Sequence, residues 1–155
     1  MPKDDLEARI RKLEDIEEIK KLQAKYAYFI DTFKAEEVVK LMVKDIKAEY
    51  GLWGNYSGVS EMLAFLNGII PVSPMMNHEV FTPLIEVDGD KATGTWYLLG
   101  PFVALRAEGK VATWIQGKYQ NDYVRVKGEW KFSHIRFTPR LNSPHEDGWV
   151  KTPFM

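Results

Sequence analysis

The second half of the chain carries four long runs rich in β-branched and aromatic residues: Asn77 to Val87, Lys91 to Arg106, Lys110 to Val126 and Glu129 to Thr138. Turn signals separate them. Asp88-Gly89-Asp90 and Lys127-Gly128 have the composition of tight hairpin turns, and Ala107-Glu108-Gly109 that of a slightly longer one. Strands joined this closely run antiparallel, and strands this long curve strongly. No alternation of strand and helix precedes them, so the order of elements is α+β rather than α/β.

The first half reads as helical. From Asp4 to Lys21 both charge signs are crowded, with Leu6, Ile10, Leu13, Ile16, Ile19 and Leu22 recurring at spacings of three or four. The stripe continues through Tyr26, Phe29, Ile30 and Phe33. Its charged half is expected to be a solvated face or a packing arm. Ala35 to Val43 is expected to form a second short helix, Ile46 to Leu52 a short strand, and Gly54 to Gly58 a loop. Ser60 would cap a third helix that ends at Gly68. Residues 1–138 thus form one domain, and 139–155, with three prolines and no period, a tail that covers something or frays. Curved sheet over helices leaves a conical cavity, where a small-molecule site would form.

Composition narrows the chemistry. The 155 residues include no Cys, which removes disulfides, thiol nucleophiles, zinc–thiolate sites and iron–sulfur clusters together. A net charge of −1 lacks the basic field of nucleic-acid binding, so no nucleic-acid partner is expected. Apolar runs are too short for a membrane span and the N-terminus lacks a signal-type apolar segment, so a cytoplasmic location is expected. His78, His134 and His145 show no metal-binding spacing, and no glycine-rich phosphate loop or nucleophile elbow is present; neither metal nor cofactor is expected.

Strand alternation places His78, Val80, Thr82 and Leu84 on one face, and Trp130, Phe132, His134 and Arg136 on one face. The apolar members make these inward faces unless a bulge flips them. Asp31 interrupts Tyr-Ala-Tyr-Phe-Ile, a run otherwise committed to burial. Its charge needs a partner, or else it caps the segment that follows. His78 is either a satisfied core residue or, beside a buried carboxylate, a general base. Trp53, Phe65, Trp96, Phe102, Trp114 and Phe132 divide between plain core and a pocket wall suited to flat or ring-containing molecules.

The segments Ile19 to Asp31, His78 with Thr82-Pro83, Gly94-Thr-Trp-Tyr-Leu98, Tyr119-Gln-Asn-Asp-Tyr123 and Gly128-Glu-Trp-Lys-Phe132 together resemble the SnoaL-like division of the nuclear transport factor 2 (NTF2-like) fold. The resemblance is nearest to the bile-acid 7α-dehydratase group, with scytalone dehydratase and hexachlorocyclohexane dehydrochlorinase further off. It implies a cone-shaped α+β barrel, N-terminal helices on a strongly curved antiparallel sheet, and a homo-oligomer, commonly a trimer, with a dimer as the alternative. It also implies a His-Asp dyad that removes a proton while a leaving group departs. The family's aspartate falls on Asp31, its tyrosines on Tyr26 and Tyr50, and its base on His78. Where the dehydratases carry an acidic residue this chain has Leu99-Gly100-Pro101, and Arg136 and Arg140 are both possible equivalents of the arginine near the last strand. The expected activity is a cofactor-independent lyase, dehydratase-like, on a hydrophobic ring-containing small-molecule substrate. A ketosteroid isomerase-like isomerase or cyclase, or a binding module without turnover, are the alternatives.

Overall fold

A computed structural model describes the backbone of residues 3–151 and the side chains of 5–148 and 151. Helix α1 (Lys3–Asp31) is followed by α2 (Ala35–Lys40), strand β1 (Met42–Glu49), strand β2 (Asn55–Ser57), helix α3 (Gly58–Ile69), four long strands and α4 (Gly148–Lys151). The long strands are β3 (Glu79–Asp88), β4 (Lys91–Arg106), β5 (Gly109–Val126) and β6 (Glu129–Pro144). All four expected strands are present with the expected turns. The last continues beyond Thr138, so residues 139–144 belong to the sheet instead of a tail. The helix expected over Ala35–Val43 stops at Lys40, because Met42 and Val43 enter β1. The third helix starts earlier than expected, with Ser57 as its N-cap; the Glu61 carboxylate reaches back to accept from the Ser57 N–H at 2.7 Å.

The six strands form one open sheet in the order β2-β1-β6-β5-β4-β3. The four long strands are antiparallel neighbours, as their short turns require. β1 breaks the pattern: it lies parallel to β6, pairing Ala48 with Ile135, so that the sheet is mixed. No hairpin constrains this pair, because the strands come from opposite ends of the chain. The buried half of α1, carrying Ile19, Leu22, Tyr26 and Ile30, shares one core with Met62 and Leu66 of α3 and with Ile46, Phe132, Ile135 and Phe137 of the sheet. Leu6, Ile10 and Leu13, the first part of the same stripe, are exposed.

Register breaks give the sheet its shape. β4 and β5 pair without interruption from Lys91↔Val124 to Arg106↔Gly109. β3 carries an extra residue between Phe81 and Leu84, where Thr82 takes a left-handed φ of 55°. β6 carries one between Phe132 and His134 and another between Pro139 and Leu141. Each added residue bends its strand and exchanges its two faces beyond that point.

Polar ties hold α1 on the sheet. Arg125 of β5 donates to Asp15 at 2.5 Å and to Asp90 at 3.0 Å, lies 4.5 Å from the Trp130 ring centroid, and is 14% exposed against 8% for Asp15. Deeper, Gln23 accepts hydrogen bonds from Asn121 at 3.0 Å and from the Tyr123 hydroxyl at 3.1 Å. Cutting Arg125 back to Ala leaves the Asp15 carboxylate buried with one Trp130 N–H at 3.3 Å as its remaining donor. The expected loss is about 3 kcal/mol of unfolding free energy, measured by urea denaturation, whereas replacing exposed Lys127 by Ala leaves the midpoint within about 0.5 kcal/mol.

Candidate active site

Helix α1 ends in a Schellman turn. The Phe33 N–H donates to Ile30 O at 3.0 Å, the Lys34 N–H to Phe29 O at 2.8 Å, and Phe33 adopts a left-handed φ of 59°. Asp31 is thereby the last helical residue. A carboxylate there faces the negative end of the helix dipole and needs donors from elsewhere. His78 supplies two. Its backbone N–H donates to Asp31 Oδ2 at 2.8 Å and its ring Nδ1 lies 2.5 Å from Oδ1. Asp31 does not cap α2, whose N-cap is Lys34 with no side-chain bond.

An ionised carboxylate only accepts, so Nδ1 carries the hydrogen and, in the neutral ring, Nε2 carries the lone pair. The ring meets Phe102 edge-on, with centroids 5.1 Å apart, and lines a cavity of about 240 Å³ between the sheet and α1 and α3. Residues just before β3 reach this place by crossing the flat face of Gly100 on β4. A Cβ at Gly100 would stand 1.7 Å from the Asn77 carbonyl oxygen, a contact no side chain survives.

Three phenols line the same cavity. The hydroxyls of Tyr26 and Tyr50 are 2.7 Å apart, and Tyr119 packs edge-on against Tyr26 with centroids 6.1 Å apart. Burial is the main force pushing the pKa values of all three well above the ordinary phenol range. For Tyr119 the negative charge of Asp31 adds to the rise, while the hydrogen bond with Tyr26 opposes it. The phenols therefore stay protonated around neutral pH, with the proton of one of Tyr26 and Tyr50 committed to the other. Among the described residues no group of three or more His, Asp or Glu side chains is placed to hold a metal ion.

The SnoaL-like domain profile matches residues 11–136, most of the chain and all of this geometry. The chain belongs to the SnoaL-like family. Its NTF2-like fold is shared with solved structures at low sequence identity. Hexachlorocyclohexane dehydrochlorinase type 3 from Novosphingobium barchaimii is 22% identical and superposes with a TM-score of 0.78 over 88% of this chain and 93% of that one. A candidate scytalone dehydratase from Novosphingobium aromaticivorans is 21% identical, with a TM-score of 0.77 over 86% and 89%. A Mycobacterium tuberculosis protein of unknown function is 23% identical, with a TM-score of 0.73 over 84% and 75%. No match was found among curated proteins.

Within this SnoaL-like cone the residues expected at the site divide clearly. Tyr26, Tyr50, His78, Trp53, Phe65 and Phe102 line the cavity, and Asp31 stands behind His78. Five others do not. Phe132 is buried in the core against Tyr26 and Tyr123, and the Trp96 ring donates to the Tyr123 hydroxyl at 3.0 Å. Trp114 lies on the opposite face from its cavity-lining neighbours Thr113 and Ile115, donating to His145 Nδ1 at 3.1 Å. His134 and Arg136 follow the first bulge of β6, which turns them to the outer face. There His134 Nε2 meets Glu49 at 2.8 Å and Arg136 pairs with Asp122 at 2.7 Å. The β3 bulge acts likewise: Leu84, expected inside, is 68% exposed, and Ile85 and Val87 pack on the core instead. Arg140 is the extra residue of the second β6 break and does not line the cavity.

Sequence reasoning passed over Tyr119, although it opens the Tyr119-Gln-Asn-Asp-Tyr123 segment, and it passed over Asn142, which alternation alone could not place beyond two bulges.

Tyr26, Tyr50, Tyr119 and Tyr123 all hold their protons more tightly when folded than when unfolded. Their contribution to stability is therefore complete below the unfolded phenol value, about 10, and is lost as pH rises above it. Chemical denaturation between pH 9 and 11.5 is expected to show unfolding free energy falling by up to about 1.4 kcal/mol per pH unit for each such group. Tyr119→Phe makes that fall shallower.

Proposed function

We propose that this protein is a cofactor-independent lyase that eliminates a hydroxyl or similar leaving group from a hydrophobic, ring-containing substrate, with His78 as general base. The observation that carries the reading is a histidine whose Nδ1 is held by a helix-terminal aspartate while its ring opens on an apolar cavity with three protonated phenols. His78 Nε2 would take a proton from the carbon next to a carbonyl. The electron pair moves onto the carbonyl oxygen, where a phenol O–H stabilises it, then returns to form the carbon–carbon double bond as the β substituent leaves. The imidazolium hands its proton to the departing hydroxyl, and water forms. Asp31 stabilises the imidazolium between these steps and fixes the ring orientation. The dehydratase and dehydrochlorinase names among the structural neighbours agree with eliminations of this kind.

The phenol cluster also favours a second reading, since an enolate held by tyrosines can be reprotonated at another carbon to give an isomer. Product mass separates the two: elimination of a hydroxyl loses water and isomerisation loses nothing.

The test uses β-hydroxy ketones and thioesters carrying one or two rings. His78→Ala is expected to lower kcat by about 10²–10⁴-fold with little change in KM, and Asp31→Asn by about 10²-fold. Elimination that survives loss of His78 at the wild-type rate overturns the assignment.

A further inference from the structure

The cavity wall is apolar except at a few points, and two of these are unexplained by the dyad and the phenols. Thr113 of β5 and Asn142 of β6 line the cavity and are 2% and 6% exposed. Neither side chain has a hydrogen-bond partner among the described residues, although almost every other deeply buried polar side chain does. Among the described residues only Gln23 Nε2 is sealed in without a partner; the polar atoms of Thr113 and Asn142 instead keep contact with the open cavity, where whatever occupies it completes their bonds. The sheet goes out of its way to point Asn142 inward. The extra residue Arg140 between Pro139 and Leu141 exchanges the faces of β6, so that Asn142 stands opposite Ile115, itself a wall residue. Thr113 stands on the neighbouring strand, one inward step from Ile115, and its own partner on β4 is Phe102, the ring that His78 touches.

We propose that Asn142 and Thr113 form a second polar contact point of the cavity, which hydrogen-bonds a neutral oxygen, a hydroxyl or ketone, on the end of the substrate remote from the reacting carbon. The register places Asn142 two strands from Gly100, where His78 enters, a separation of ~10 Å, and Thr113 between them on β5, opposite Phe102. A cavity of about 240 Å³ accommodates a bicyclic body across that span. The oxygen is neutral because no charged side chain accompanies the pair. Arg106, on the cavity rim, lies four residues further along β4 than Phe102, ~13 Å away. The amide can donate through Nδ2 and accept through Oδ1, and the threonine hydroxyl can do either, so the pair accepts both oxygen types. The substrate class is therefore a bicyclic compound oxygenated at both ends, one oxygen for the phenols and His78 and one for this pair.

This inference rests on the cavity being a small-molecule site, and its test measures binding alone, so that it stands or falls separately from the elimination. The probes are 2-naphthol and 2,6-dihydroxynaphthalene, titrated calorimetrically into the wild type, into Asn142→Leu/Thr113→Val, and into Asn142→Leu alone. The wild type is expected to bind the diol about tenfold more tightly than the mono-ol. In the double variant the preference falls to the twofold that symmetry of the diol supplies, and in the single variant to an intermediate ratio. Because leucine and valine match the shapes they replace and no hydrogen bond within the protein is lost, the thermal midpoint is not expected to fall. Absence of a diol preference in the wild type, or its persistence in the double variant, overturns the proposal. A protein that shows the preference but turns over no β-hydroxy carbonyl compound keeps this site and loses the elimination; one that eliminates without the preference does the reverse.

Discussion

A sheet of strands up to 18 residues long can wrap a cavity only by giving up continuous register, and the places where it does so decide which side chains the cavity sees. β4 and β5 keep perfect pairing and serve as the spine. Their neighbours yield: β3 at Thr82-Pro83, and β6 once after Phe132 and again at Arg140. Each break bends the sheet and reverses the alternation that follows. The outer network of His134, Arg136, Asp122 and Glu49 and the inward turn of Asn142 are consequences of the same two added residues in β6.

The other organising element is electrostatic. A carboxylate closing a 29-residue helix sits where backbone carbonyls already make the potential negative. It is held by two N–H groups of a single residue from the strand side of the molecule, which joins the end of α1 to the start of β3. The arrangement leaves one imidazole nitrogen committed and the other facing an apolar space. The phenols nearby have the opposite character, since burial keeps them neutral and donating. One group can take a proton while the phenols can only give one, and the hydrogen bond between Tyr26 and Tyr50 commits the proton of one of them to the other.

Much of this is written locally in the chain and some of it is not. The four strands, their turns and the helical stripe of α1 are legible because each depends on composition within a dozen residues. Asp31 is legible because a charge at the end of Tyr-Ala-Tyr-Phe-Ile demands a partner, and His78 because it stands immediately before a strand. Trp96 and Phe132 were ambiguous for the opposite reason: a ring that packs in a core and a ring that lines a pocket obey the same alternation. The orientation of His134, Arg136, Leu84 and Asn142 was hidden, because a bulge is a property of the pairing between strands and leaves little trace in either one. The parallel pairing of β1 with β6 is similarly invisible, as it joins segments more than 80 residues apart.

Gly100 shows how far space itself is part of the site. It has no functional group, yet the chain that carries His78 passes against it so closely that a single added carbon would collide with the Asn77 carbonyl. The imidazole is thus positioned by Asp31 through attraction and by Gly100 through vacancy. Of these two the vacancy is the less replaceable, because an amide or another acceptor could still engage the imidazole in place of the carboxylate, whereas the nineteen other side chains all fill the gap. For evolutionary drift this makes a chemically silent position on β4 one of the narrowest gates through which a sequence must pass to keep the histidine where it is.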